Sequence, residues 1–170
     1  LPWEIGEIVE LIDGFHFLAT TLWTTCGKTP LDRLRIRGGM NDFLAIRNNG
    51  LAFTPENMEE LSRKQAKTLE NRLVQLVGND HPAPTVVVTH HLPSYQLCDP
   101  RHMGNGLDGG FASDYDHLLM KPFAPMLWIH GHTHHYIACE LGDTKILCNP
   151  LGYPGEETGF KPKLFVDLKA

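Results

Sequence analysis

The spacing of apolar and polar residues changes several times along this chain, and each change marks an element. Glu7 to Ile12 and Phe15 to Leu22 are β-rich runs joined by Asp13-Gly14, a pair that favours a tight hairpin turn. Cys26 to Gly50 reads as a loop, with Lys28-Thr29-Pro30 and Gly38-Gly39 as breakers. Thr54-Pro55-Glu56 then opens a helix. Thr54 caps it, Pro55 takes the first helical position and Glu56 puts an acid in the first turn. Met58, Leu61, Leu69, Leu73, Leu76 and Val77 recur near helical spacing, and Gly78-Asn79 closes the helix.

The run Thr85-Val86-Val87-Val88-Thr89 is β-branched without a break. It reads as a strand covered on both faces, of the kind found inside parallel sheets. His90 stands at its carboxyl end, where open α/β sheets bind ligands. Ser94 to Gly110 is a glycine-rich loop, and Ser113 or Asp114 caps a short helix through Leu119, stopped by Pro122. Pro125 to Ile129 is an apolar run of strand length. Tyr136 to Leu141 and Thr144 to Cys148 form a second hairpin around Gly142-Asp143. Asn149 to Gly155 is a rigid loop, and Leu164 to Leu168 a last strand. With no internal repeat and no linker, residues 1–170 make a single α/β domain.

At 170 residues, 42% hydrophobic and 21% charged, the chain can bury a real core. A net charge of −5 argues against a binder of nucleic-acid backbones, which needs a basic face. No apolar run approaches a membrane span, so no membrane partner is expected. Cys26, Cys98, Cys139 and Cys148 form no CxxC pair and read as reduced thiols, which predicts a cytoplasmic location. The chain starts Leu1-Pro2-Trp3 without an initiator methionine, and reads as a fragment or a processed product.

The chemistry concentrates after the apolar run. Trp128-Ile129-His130-Gly131-His132-Thr133-His134-His135 is half histidine. Gly131 permits a sharp turn or a close approach, and His132 and His134, two apart around a bend, can aim at a common point. If the strands before His90 and before this stretch are neighbours, the three imidazoles converge, and three histidines suffice for a metal site. Imidazole suits zinc, copper, iron and nickel. Arg33, Arg35, Arg37 and Arg47 read either as a solvated surface or as an anion-facing cover loop.

Val88-Thr89-His90-His91-Leu92-Pro93, Trp128 to His134 and Asn149-Pro150-Leu151-Gly152-Tyr153 together resemble the calcineurin-like metallophosphoesterases, the small bacterial and phage branch in particular. Thr20-Thr21-Leu22-Trp23 and Gly39-Met40-Asn41-Asp42-Phe43 are similar to that branch as well. The resemblance implies part of a two-sheet β-sandwich flanked by helices. It implies hydrolysis of a phosphate-ester substrate with two divalent transition metals in the complete enzyme, whether Mn, Fe, Zn, Ni or Co. By it, His90 and His132 would bind one metal and His134 the other. His91 would act at the site through a neighbouring ligand or the phosphate, and Asn149 and Tyr153 would shape the site floor. His130 is expected to be packed and His135 exposed.

The family also carries Asp-x-His, Gly-Asp and Gly-Asn-His motifs, which supply a bridging carboxylate and further ligands. None is matched here, and Gly78-Asn79-Asp80-His81 echoes the last only loosely. The 170-residue chain alone is therefore expected to hold one metal better than two, to lose it below about pH 6, and to hydrolyse esters poorly or not at all. Loss of the strands that carry those motifs would bare the edge of the Thr85-to-Thr89 strand. The implied partners are then a second copy or a complementing N-terminal portion. A non-catalytic metal-binding or interaction module, or one half of a split enzyme, are the alternatives.

Overall fold

The computed structural model describes residues 8–78, 83–101 and 103–168, with backbone only for 8–11. Glu7, Asn79 and the Asn79-Asp80-His81 echo lie outside the described residues. In chain order the elements are β1 (Ile8–Ile12), β2 (Phe15–Thr20), α1 (Pro30–Gly39), α2 (Asp42–Ala45), β3 (Arg47–Asn48), β4 (Leu51–Ala52), α3 (Pro55–Val77), β5 (Thr85–Thr89), α4 (Asp108–Phe111), β6 (Leu127–Ile129), β7 (Ile137–Leu141) and β8 (Thr144–Cys148). Short 3₁₀ turns cover Tyr95–Leu97 and Asp116–Leu119.

Six strands form one sheet in the order β1-β2-β5-β6-β8-β7, and β3-β4 form a separate two-stranded ribbon. The four inner strands run parallel and a hairpin closes each edge. This is the α/β class expected; the second sheet is only the small ribbon. The first hairpin turns where expected, with Asp13 and Gly14 both at positive φ, 49° and 85°, as a two-residue turn between twisted strands requires. β5 lies between β2 and β6, and only Val88 of its five residues is less than fully buried. The expectation of a bared β5 edge is therefore corrected: the β1-β2 hairpin, read from the sequence but not placed by it, covers that side.

One core lies between the sheet and α3. Leu18, Val87, Trp128 and Ile146 meet Ala66, Leu69 and Leu73 there. α3 starts where Thr54 predicts, its hydroxyl accepting from the Asn57 N–H. A second core of Cys26, Ile36, Met40, Phe43, Phe53 and Met58 lies under α1 and α2. Those helices replace the loop expected over Cys26 to Gly50. Thr29 and Asp32 form a capping box and Pro30 sits in the first turn, so Thr29-Pro30 starts a helix instead of breaking the chain. Ser113 does not cap a helix; its hydroxyl accepts from the Thr25 N–H at 2.9 Å. Leu164 to Leu168 is irregular, with Phe165 89% exposed.

A buried relay ties the core to the chemistry. The Trp128 indole N–H donates to the Thr89 hydroxyl at 2.9 Å, and that hydroxyl donates to the His91 carbonyl at 2.7 Å. Thr89→Val keeps the shape and orphans both groups. The expected cost is about 1–3 kcal/mol, read from urea unfolding with an unchanged slope. A change below about 0.5 kcal/mol, the level of an ordinary surface substitution, would mean that the relay holds nothing.

Candidate metal centre

The carboxyl ends of β2, β5, β6 and β8 are stitched together just beyond their last paired residues. The Thr21 carbonyl accepts from the N–H groups of both His90 (3.2 Å) and His91 (3.1 Å), the His90 carbonyl accepts from Gly131, and the Leu147 carbonyl accepts from His130. These bonds hold the two histidine segments side by side. Gly131 is not the residue that needs unusual backbone: a Cβ there would meet nothing closer than 3.6 Å. His132 takes the left-handed conformation instead, at φ 61°, with the Thr133 N–H closing a short turn onto the Gly131 carbonyl at 2.7 Å. Non-glycine residues held there cost on the order of 1–3 kcal/mol and cluster at functional sites.

The result is a cluster of His90, His91 and His132, one nitrogen of each within 4.8 Å of the others. Ring centroids are 4.9 Å apart for His90–His91, 4.8 Å for His90–His132 and 4.5 Å for His91–His132. His91 is 1% exposed, with its Nδ1 at 3.3 Å from the Thr21 carbonyl. A nitrogen facing a carbonyl must be the donor, so Nε2 carries the lone pair. That Nε2, like the Nε2 of His132, is buried without a hydrogen-bond partner. Trp23 and Phe111 wall the cluster, with ring centroids 5.1 Å from His91 and 4.6 Å from His132. α4, which carries Phe111, packs very close to the end of α1: a Cβ on Gly110 would clash with the Met40 sulfur and lie 3.2 Å from Ile36 Cγ2.

Burial sets the electrostatics. It holds His91 well below the ordinary imidazole range, reinforced by the charges that His132 and His90 would carry. Burial, then His90, brings His132 down to about 4, while a bond to the Gly110 backbone acts the other way. His90 is lowered by burial and pulled back by the Asp42 charge. All three rings are therefore neutral at pH 7, the form a metal needs. Orphaned buried nitrogens, neutral rings and mutual proximity fit a metal ion held by these three side chains.

Of the residues expected as ligands, His90 and His132 lie in the cluster and His134 does not. Its Nδ1 is 2.7 Å from a Glu156 oxygen. His91, expected to act through a neighbouring ligand or the phosphate, lies within the cluster itself. His130 is packed, 4% exposed, and brought down to about 4 by burial; His135 is half-buried. An open cavity of about 470 Å³ adjoins the cluster, with His132, His134, Tyr153, Asp42, Asp108 and Glu156 on its walls. Asn149 does not line it; both ends of its amide bond the backbone of Lys161. None of the four arginines lines it either, and Arg33 pairs with Glu59. Asp42 and Glu156 are cavity residues that the sequence did not single out, although Asp42 lies inside the Gly39-to-Phe43 stretch and Glu156 three residues past Tyr153.

No family model matches the chain. An uncharacterised protein of Acanthamoeba polyphaga mimivirus is 26% identical over 173 residues, covering 96% of this chain and 59% of that protein. Among solved structures, a phosphopantetheinyl hydrolase from Mycobacterium tuberculosis superposes with a TM-score of 0.58 at 16% identity, over 89% of this chain and 55% of that one. The likeness shows a shared fold, and the chain spans less than two thirds of either protein. Among the described residues, no helix is long and apolar enough to cross a membrane.

Proposed function

We propose that this chain carries the histidine-rich part of a metal-dependent phosphoesterase site, and that the cavity beside the cluster receives the ester. The observation that carries the reading is the convergence of three imidazoles, two of which carry a buried Nε2 with no hydrogen-bond partner. Its support is the matched histidine motifs at the strand ends and a fold shared with a hydrolase. A bound divalent metal would polarise a phosphoryl oxygen and lower the pKa of a bound water. The protein's own contribution is orientation and charge. The Thr21 carbonyl fixes the His91 tautomer, Trp23 packs against His91 and Phe111 against His132, and Asp42 puts negative charge near His90.

The test is hydrolysis of an aryl phosphate monoester and diester with Mn, Fe, Zn, Ni or Co. We expect slow, metal-dependent turnover by the 170-residue chain, and faster turnover when a segment bearing the Asp-x-His, Gly-Asp and Gly-Asn-His motifs is supplied. His132→Ala should remove most of either activity. Tight metal binding with no hydrolysis in either format would favour a non-catalytic metal-binding module.

A further inference from the structure

We infer that Glu156 is a positioning residue that holds His134 in its Nδ1–H form, so that Nε2 is left as a free lone pair on the cavity wall. The contact is short, with the His134 Nδ1 2.7 Å from a carboxylate oxygen. The same oxygen accepts the Tyr153 N–H at 2.8 Å, which fixes the carboxylate before the imidazole reaches it. The Tyr153 N–H bond is also the largest of the effects that lower the Glu156 pKa, with His134 contributing after it. The group is therefore a carboxylate at neutral pH, able only to accept. An acceptor at Nδ1 forces the proton onto that nitrogen. The Tyr153 ring, edge-on with its centroid 4.9 Å from the His134 ring, restrains its rotation.

The surrounding loop is shaped for this contact. Gly152 stands at φ 75°, and a Cβ there would lie 2.7 Å from a Glu156 carboxylate oxygen and 2.4 Å from the Thr158 Cγ2. Only glycine lets the carboxylate fold under the turn. Thr158 in turn donates to the Pro150 carbonyl at 2.7 Å, closing the loop on itself. A histidine bonded through one nitrogen to a carboxylate, with the other free, is the arrangement by which proteins orient a metal ligand and raise its basicity. His134 stands apart from the three-histidine cluster, yet near enough that its charge depresses both His90 and His132. Its free nitrogen is therefore placed for a second cation, or for a group of the ester, beside the first site. The tautomer does not depend on the phosphoesterase reading; the use of the free nitrogen rests on it.

Long-range ¹H–¹⁵N correlation spectra of the 170-residue chain in mildly alkaline buffer decide the matter. The expected spectrum has a protonated Nδ1 and an unprotonated Nε2 on His134. Glu156→Ala should lose that preference, and Glu156→Gln, whose amide oxygen still accepts, should keep it. Gly152→Ala should lose it with the carboxylate still present, whereas Tyr153→Phe should retain it, because the Tyr153 contact is through its backbone. An Nε2–H form in the unaltered chain, or a tautomer indifferent to Glu156→Ala, would overturn the inference. Zinc titration on the same samples tests the underlying reading separately. The first equivalent should move His90, His91 and His132, and a weaker second should move His134, with the second step weakened about 10–100-fold by Glu156→Ala. A preserved tautomer with no zinc response at any of the four histidines would leave Glu156 its role and remove the metal reading.

Discussion

Mild acid is expected to unfold the metal-free protein, and buried histidines are the cause. In the unfolded chain an imidazole titrates near 6.5, whereas in the folded protein burial brings His130 and His132 down to about 4. His91 lies well below its ordinary value and His90 is lowered. The unfolded state therefore binds more protons across this range, and stability rises with pH. Each neutral ring contributes its full share above about pH 6.5. That share shrinks as pH falls toward 4 and stops changing below it. At about 1.4 kcal/mol per pKa unit, His130 and His132 are each worth on the order of 3 kcal/mol, and a domain's whole stability is only about 5–15 kcal/mol. The groups facing the cluster do not reverse the sign: the Asp42 charge opposes the His90 shift without cancelling it, and the His134 charge adds to it. Carboxylates act lower, since Asp99, held down to about 2 mainly by Arg101, loses its contribution only below about pH 4. Urea unfolding of chelator-treated protein should show a loss of several kcal/mol between pH 7 and pH 4.5. A flat profile over that interval would mean that these rings are not buried in solution.

What the sequence made legible was whatever depends on short-range chemistry. The β-branched run 85–89 announced a central strand because a strand covered on both faces has no polar side to show. Asp13-Gly14 announced its turn because both residues tolerate the left-handed backbone found there. Pro30 and Gly38-Gly39 look like interruptions, yet all three belong to α1. Thr29 with Asp32 three residues on was the available signal, and it outweighs both. The place of His91 in the cluster has a geometric reason. In a continuing strand, neighbours point to opposite faces. β5 ends at Thr89, though, and both following N–H groups bend to the one Thr21 carbonyl. Adjacent rings are thereby turned to a common point. Glu156 was out of reach altogether, because its contact depends on how the turn at Gly152 folds back, and no periodicity records that. The open edge expected for β5 failed similarly: strand character was readable, strand order was not.

The cluster should hold one divalent transition metal per chain, and the single substitutions should separate its members. His91→Ala or His132→Ala removes one of three nitrogens beside Trp23 and Phe111, so affinity should fall by at least about 100-fold, beyond the 10–100-fold typical of losing a group that merely supports a ligand. His134→Ala should leave the first ion almost unaffected, because His134 bonds Glu156 and lies outside the trio. The opposite ranking, with His134 essential and His91 dispensable, would restore the ligand set implied by the sequence resemblance. The pH limit also moves. Protons compete for an imidazole only near its own pKa, and burial has carried these rings below 6.5. Binding should accordingly persist through pH 6 and weaken toward pH 5, where acid unfolding begins to drain the competent state and lowers the apparent affinity by the folded fraction. Saturating metal should then shift the acid transition to lower pH, since a ligand that binds only the folded form stabilises it by mass action. Calorimetric titration with zinc at pH 7.5, 6 and 5, with elemental analysis after dialysis, reads all of this. Two tightly retained ions per chain, or a loss of affinity already complete at pH 6, would show that neutral histidines buried by the fold are not what holds the metal.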